Sequence, residues 1–313
     1  MTDLTISIVN HNNRGLLDRC LRSIYETTEG LNFEVFVVDN RSQDGSPGMV
    51  MEKYPQVRLI VNTEPKGFSE NHNTVLRAMN GRYVLLLNED TEVLPGSIET
   101  MYRYLERRTE AGVVGCRLLN ADGTVQESCF RLPSLTVLFL DAFVPDRLLP
   151  RRDAVAGRGR RRRDIEREVP YMIGACLMLP RKVIETVGLL DERFFVFDED
   201  ADLCLRVARA GWKVVFLPDA EIIHHGGASI QRDEEAAVHN YCRSMSLFFR
   251  KHYGSWSLPP LWLLMVIGAM NRVAAWSAVK LLRPRKKNLC SRKIARNARI
   301  IAWHIGLGRG KRT

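Results

Sequence analysis

Four short β-rich runs recur in the first ninety residues, and each ends on polar side chains. Leu4-Thr5-Ile6-Ser7-Ile8-Val9 closes on Asn10, Glu34-Val35-Phe36-Val37-Val38 on Asp39, Val57-Arg58-Leu59-Ile60-Val61 on Asn62, and Leu85-Leu86-Leu87 on Asn88-Glu89-Asp90. The segments between them carry helical spacing, clearest at Leu17, Cys20, Leu21, Ile24 and Thr28, where apolar groups return every three or four positions. Strands that alternate with crossover helices predict an α/β chain with a doubly wound, mostly parallel sheet. Ligands of such sheets bind beyond the carboxyl ends of the strands, so Asn10, Asp39, Asn62 and Asp90 are predicted to converge on one edge. Any one of them is also an ordinary helix cap or turn former. Four in the same strand-terminal position point to a site.

Farther along, Val113-Val114-Gly115-Cys116 reads as another strand and Asn120-Ala121-Asp122-Gly123-Thr124 as a hairpin turn. The nine residues from Tyr171 to Leu179 read as one central strand, with the small residues Gly174 and Ala175 inside it. Asp198, Glu199, Asp200 and Asp202 then crowd the start of a helix whose apolar face is Leu203, Leu205, Val207 and Ala210. Like charges raise one another's pKa, while a helix N-terminus or a cation lowers it, so such a cluster is tunable toward general-base duty. First-turn acids are favoured by the helix dipole alone, which leaves the choice among them open.

In chain order, Val38-Asp39-Asn40 with Ser42 and Asp44-Gly45, Gly67-Phe68 with Asn73, and Asn88-Glu89-Asp90 make a first set of motifs. Gly174-Ala175-Cys176, Phe194-Phe195, Glu199-Asp200-Ala201-Asp202-Leu203-Cys204-Leu205-Arg206 and His224-His225-Gly226-Gly227-Ala228-Ser229 make a second. Together they resemble the inverting family 2 glycosyltransferases of the GT-A fold, and among these the bacterial rhamnosyltransferase-like enzymes of cell-surface polysaccharide synthesis. The resemblance implies a nucleotide-sugar donor held by Asn10, Asp39, Asn40, Gly67, Phe68, Asn73 and Asn88. It implies a divalent cation, Mn2+ or Mg2+, on Asp90 and His224, with His225 as the adjacent alternative, and Asp200 as the base beside Glu199 and Asp202. An imidazole ligand leans the metal toward manganese. The family's usual motif has an acid two positions before Asp90, where this chain has Asn88. Lys66 and Arg82 enter as phosphate partners to be weighed, the turn at 120–124 as a border of the acceptor site, and Gly174 and Ala175 as residues small enough to let a sugar approach. The implied reaction moves rhamnose from dTDP-rhamnose, with inversion, onto a lipid-linked saccharide. The alternatives are a catalytically inactive nucleotide-sugar-binding protein and a nucleotidyltransferase on a similar sheet.

Charge divides the chain. Of 46 basic and 36 acidic residues, thirteen basic and no acidic ones lie at 255–313, so the body holds 33 bases against 36 acids while the whole is +10. Leu258–Leu282 is strongly apolar yet interrupted by Pro259-Pro260 and Asn271-Arg272. A central arginine costs about 2.5 to 3.5 kcal/mol on insertion, so a helix lying in or re-entering an anionic membrane surface is expected in place of a clean span, with Trp262, Trp276 and Trp303 suited to either a membrane or a packed helical pair. This gives a nucleotide-sugar-binding half at 1–115, an acceptor-binding catalytic half at 116–254 and a membrane-associated helical tail at 255–313. A basic stretch holding Arg158 and four arginines at 160–163 reads as a mobile loop. Basic runs without interleaved aromatics or a recognised motif argue against nucleic acid. Seven scattered cysteines and no signal peptide are expected of a cytoplasmic protein, peripheral at the inner face of the plasma membrane.

Overall fold

The run Leu85-Leu86-Leu87, apolar toward both faces, lies inside a large mixed sheet covered on both sides. A computed structural model describes residues 2–144, 165–226 and 233–306. The chain forms two units: the first takes the described residues of Met1–Leu132, Asp153–Phe195 and Glu199–Ala228, the second those of Pro133–Arg152, Val196–Asp198 and Ser229–Thr313. The arginine stretch at 158–163 and residues 227–229 of the second motif set lie outside the described residues.

The strands of the first unit are β1 (Leu4–Asn10), β2 (Phe33–Asp39), β3 (Arg58–Val61), β4 (Tyr83–Asn88), β5 (Thr91–Val93), β6 (Ala111–Leu119), β7 (Val125–Gln126), β8 (Cys129–Phe130), β9 (Arg167–Glu168), β10 (Tyr171–Met172), β11 (Cys176–Pro180) and β12 (Lys213–His224). The main order is β3-β2-β1-β4-β11-β6-β12-β5. β1 runs parallel to β2 and β4, β2 to β3, and β6 to β12. The register sets Asn10 opposite Asp39 and Val9 opposite Asn88, so the polar strand ends are level, as expected. Helices α1 (Arg14–Thr27), α2 (Ser46–Lys53), α3 (Phe68–Ala78), α4 (Ser97–Arg107), α6 (Arg181–Val187) and α7 (Glu199–Arg209) belong to this unit. The spacing read in the sequence becomes the inner face of α1, with Leu17, Cys20, Leu21 and Ile24 buried against the strand side chains Ile6, Ile8, Leu85 and Leu87. Each such leucine or isoleucine contributes about 1.5–3 kcal/mol by leaving water.

One expected strand is two. The stretch from Tyr171 to Leu179 breaks at Ile173-Gly174-Ala175, because β10 pairs with β8 while β11 is inserted antiparallel between β4 and β6. The chain turns where the Gly174 N–H is taken by a side chain of α7.

The second unit is helical, with α5 (Leu135–Phe143), α8 (Glu234–Tyr253), α9 (Leu258–Leu282) and α10 (Lys287–His304). The polar pair in the middle of the apolar helix α9 is satisfied by its neighbours: Asn271 Nδ2 donates to the Ala142 carbonyl at 2.7 Å and Arg272 Nε to Asn297 Oδ1 at 2.9 Å. Elsewhere α9 leaves apolar groups uncovered, Leu263 60%, Met270 56%, Leu281 83% and Leu282 80% exposed. The helical stretch Ser255–Leu282 is long and apolar enough to cross a membrane by length and composition. The seven cysteines are free and buried.

Candidate active site

At the carboxyl ends of β1 and β2, side-chain amides tie the loops together. Asn10 Nδ2 donates to Asp39 Oδ2 at 2.8 Å and to Ser42 Oγ at 3.1 Å, and Asp39 Oδ1 accepts the Ser42 N–H at 2.8 Å. Asn40 Oδ1 accepts the Lys66 N–H at 2.8 Å and Asn62 Nδ2 at 3.1 Å, while its Nδ2 donates to the Lys66 carbonyl. Asn73 clamps Leu190, donating to its carbonyl at 2.8 Å and accepting its N–H at 3.0 Å. Asn40, Asn62 and Asn73 therefore shape the loops around the strand ends. Gly67 precedes α3 because nothing larger fits: an added Cβ would lie 3.0 Å from Phe195 Cα and 3.1 Å from its carbonyl oxygen. The Phe68 N–H bonds that same carbonyl at 2.6 Å, and the Phe68 ring borders the Cβ position of Gly174, 3.9 Å away.

Of the two phosphate candidates, Lys66 pairs with Glu70 at 2.9 Å. Arg82 stands at the opposite end of β4 from Asp90, engaged by Asp3, Glu106 and Tyr102, and is withdrawn as a phosphate partner. Phosphates belong beyond the carboxyl ends, and this arginine lies before the amino end.

Just past β4, the buried Asp90 Oδ1 accepts no hydrogen bond from the described residues and lies 3.3 Å from His224 Nε2, at the end of β12. The backbone bond from the His225 N–H to the Asp90 carbonyl, 2.9 Å, fastens the two segments. His225 itself turns to Glu92 at 2.6 Å, so His224 is the member of the pair that meets Asp90. The other His224 nitrogen, Nδ1, is 2.5 Å from Gln126 Oε1. Two more buried oxygens on neighbouring strand ends, Asn10 Oδ1 and Asn88 Oδ1, also accept nothing from the described residues. A carboxylate oxygen and an imidazole nitrogen this close, with a shortage of donors around them, fit a divalent cation. The described residues hold no group of three or more His, Cys, Asp or Glu around one point. Two ligands such as these would leave further positions to phosphate oxygens and water, the usual arrangement for a hard cation at a diphosphate.

The carboxylate cluster separates once its bonds are known. Asp202 is fully buried and paired with Arg206 Nε at 2.9 Å, and that guanidinium also caps the Val187 carbonyl. Glu199 is buried at the start of α7. Asp200 is half-buried, and its oxygens accept the N–H groups of Gly174 at 2.9 Å and Ala201 at 2.7 Å. Burial pushes its carboxyl up to about 6, against the pull of those two bonds. Because the Asn88 N–H bonds the Ala175 carbonyl at 3.0 Å, the residue that holds Asp200 adjoins the end of β4 that leads to Asp90. Asp90 and Asp200 lie at the same end of the sheet.

Three groups at this end of the sheet have no role of their own in the sequence reading. Glu89, quoted only as part of its motif, is pushed up to about 7 by burial and then by the Asp90 charge, with Asn13 Nδ2 on its Oε1 at 2.6 Å. Gln126 has no spacing signal at all. The Gly174 N–H acts through the backbone, and here only the Gly-Ala pair in a strand-like run was a sign.

The sequence matches the family model for glycosyl transferase family 2 over residues 5–188. The N-acetylglucosaminyl-diphospho-decaprenol L-rhamnosyltransferase of Mycobacterium tuberculosis is 31% identical over 278 residues, covering 84% of this chain and 90% of the relative. The low-salt glycan biosynthesis hexosyltransferase Agl10 of Haloferax volcanii is 26% identical, over 72% of this chain and 68% of its own length. Among solved structures, the mannosyltransferase PcManGT of Pyrobaculum calidifontis, in complex with GDP-Man and Mn2+, superposes with a TM-score of 0.58 at 18% identity, over 99% of this chain and 88% of that one. GalNAc-T7 with UDP, GalNAc and Mn2+ gives 0.55 at 16% identity, over 72% and 44%. The fold is that of the GT-A enzymes, and since the family model spans more than half of its length, the chain belongs to glycosyl transferase family 2.

Proposed function

We propose that this protein transfers rhamnose from dTDP-rhamnose, with inversion, onto a saccharide carried by a lipid diphosphate during synthesis of a cell-surface polysaccharide. The observation that carries the catalytic reading is the meeting of Asp90 Oδ1 and His224 Nε2 at the same sheet end as Asp200, a carboxylate of raised pKa. The rhamnosyl group and the lipid-diphosphate acceptor rest on the name of the mycobacterial relative, and the dTDP carrier on the family resemblance of the motifs.

Asp90 and His224 would hold Mn2+ or Mg2+, as the Mn2+ complexes of the two structural neighbours suggest. Such a cation, when bound, would supply neutralising charge for the leaving diphosphate. Asn10, Asp39, Asn40, Gly67, Phe68, Asn73 and Asn88 frame the nucleotide-sugar; the unengaged Oδ1 atoms of Asn10 and Asn88 await donors from it. Asp200 takes the proton of the attacking acceptor hydroxyl. With its pKa near 6 it is mostly ionised at neutral pH yet more basic than a free carboxylate, which suits general-base catalysis. The hydrogen bonds from Gly174 and Ala201 hold that carboxylate in one orientation. Glu199 and Asp202 steady the first turn of α7.

The second unit would lie on the inner face of the plasma membrane. The uncovered side chains of α9, with Phe139 and Phe143 of α5 about half exposed and 4.8 Å apart, suit the acyl boundary. Arg283, Arg285 and Lys286 between α9 and α10, with Lys287 at the start of α10, suit anionic headgroups.

The test is transfer from dTDP-rhamnose to a lipid-diphosphate saccharide with Mn2+ present, the product's anomeric configuration read by NMR. A donor that binds only the folded chain also raises its melting temperature. Stabilisation by UDP-sugars and none by dTDP or dTDP-rhamnose would remove the donor assignment. A retained configuration would remove inversion.

A further inference from the structure

We infer that Gln126 is a positioning residue that fixes which nitrogen of His224 is free to meet the cation. This rests on the reading of Asp90 and His224 as the cation-binding pair. Gln126 lies in β7, the return strand of the hairpin whose turn is closed by the Gly123 N–H on the Asn120 carbonyl at 2.9 Å, with Gly123 at φ 77°.

The sense of the hydrogen-bond chain leading from that turn is set at each end by an oxygen that only accepts. Asp122 Oδ1 takes the Thr124 hydroxyl at 2.5 Å and the Thr124 N–H at 3.0 Å. Those two bonds hold the Asp122 carboxyl below its usual range, so it stays an acceptor. With its hydrogen spent there, Thr124 Oγ1 accepts from Asn120 Nδ2 at 2.9 Å. Asn120 must then turn its Oδ1 to Gln126 Nε2, 3.0 Å away. The same Nε2 gives its second hydrogen to the backbone carbonyl of His224 at 3.2 Å. Both amide hydrogens being used, Gln126 shows His224 only its carbonyl oxygen, 2.5 Å from Nδ1. Nδ1 therefore carries the proton, and the neutral ring keeps its lone pair on Nε2, the atom 3.3 Å from Asp90 Oδ1.

Two acceptors at that separation repel unless a positive charge joins them. The hairpin thus prepares the site for a cation before one arrives. Partners of this kind on the far nitrogen of a metal-binding histidine orient the ring and raise its basicity, and their loss typically costs about 10–100-fold in metal affinity. The turn expected to border an acceptor has, in this geometry, a second task behind the site.

The experiment is Mn2+ titration of the full chain by electron paramagnetic resonance, with and without dTDP, for the parent, Gln126→Leu and Gln126→Glu. Gln126→Leu is expected to bind Mn2+ about 10–100-fold more weakly. Gln126→Glu, whose carboxylate still accepts from Nδ1, is expected to stay near the parent. Equal losses in both variants would mark a merely structural role and overturn the inference, as would parental affinity in Gln126→Leu. A measurement without any variant is the 15N spectrum of histidine-labelled, metal-free protein: His224 is expected as the Nδ1–H tautomer, and an Nε2–H form overturns the inference directly. If the parent shows that tautomer yet binds no Mn2+, the cation-binding reading itself fails and takes the inference with it.

Discussion

The two units treat apolar and charged side chains in opposite ways. The first hides its large apolar groups between sheet and helices and keeps several acids at strand ends and at the start of α7, with Asp39, Asp90, Glu199 and Asp202 all buried. The second leaves leucines, a methionine and phenylalanines uncovered, and its residues from 255 onward include thirteen bases and no acid. The contrast teaches that the net charge of +10 describes neither unit. On the proposed reading a slightly acidic body manages anions through a cation, while the basic excess sits in a helical unit suited to a charged surface. If this division of labour is real, variants in one unit should leave the other unit's readout unchanged.

The largest expected effect is on transfer by Asp200→Asn. An amide accepts from Gly174 as the carboxylate does but takes no proton, so the turnover rate should fall by about 10²–10⁴-fold, with nucleotide-sugar stabilisation and liposome binding kept. Turnover within tenfold of the parent would remove Asp200 as the base. Loss of liposome binding in the same variant would break the division between units.

The converse variant is Arg285→Gln with Lys286→Gln and Lys287→Gln. Each charge near an anionic surface is worth about 1 kcal/mol, so the three together should weaken binding to phosphatidylserine vesicles by about 3 kcal/mol at low salt, while transfer to a short, soluble acceptor stays unchanged. Co-sedimentation measures the first and product formation the second. Undiminished vesicle binding would leave the second unit as ordinary helical packing.

The sheet was largely legible in advance because parallel strands buried on both faces write continuous apolar runs, as at Val35-Phe36-Val37-Val38 and Leu85-Leu86-Leu87. The polar ends of those strands were legible for the same reason, as the places where the runs stop. Strand direction was not, because nothing in Cys176-Leu177-Met178-Leu179 records that β11 runs antiparallel to β4. That is decided by long-range pairing and by the break at Ile173-Gly174-Ala175. Asp200 stood out among its neighbours only by resemblance; the bonds that separate it from Asp202, to a backbone N–H and to Arg206 respectively, come from different parts of the fold. Gln126 was invisible for a related reason. Its partners are 98 residues away on β12 and 6 away in the turn, and no local pattern records both.

Within the first unit, two glycines should differ. A methyl at Gly67 would press on the Phe195 backbone at 3.0 Å, where no flexible side chain can yield, so Gly67→Ala should destabilise by about 1–3 kcal/mol. At Gly174 the nearest atoms are 3.7 Å or more away, an ordinary contact, and Gly174→Ala should stay within about 0.5 kcal/mol in denaturant unfolding. Equal values would mean that the approach of α3 to Phe195 is looser than drawn.

The smallest effect comes from Glu89, and it has a definite sign. Its carboxyl is raised to about 7, chiefly by burial and then by the Asp90 charge, while in the unfolded chain it titrates near 4.3. Between those values the folded chain holds the proton that the unfolded chain has released. This contribution to stability is therefore complete below about pH 4.3 and is lost as pH climbs toward 7. Glu89→Gln keeps an oxygen for the Asn13 amide but cannot ionise, so it should be more stable than the parent at pH 7 and level with it near pH 4. Partial exposure of the side chain holds the gain to the order of 1 kcal/mol, a rise of roughly 2–4 °C in melting temperature. The second unit, with no acid after residue 255, has no counterpart to this group in its basic tail. A gain that does not grow between pH 4 and 7 would mean that the charges of Glu89 and Asp90 do not oppose each other at the strand end, and with them would go the shortage of positive charge that a cation is proposed to fill.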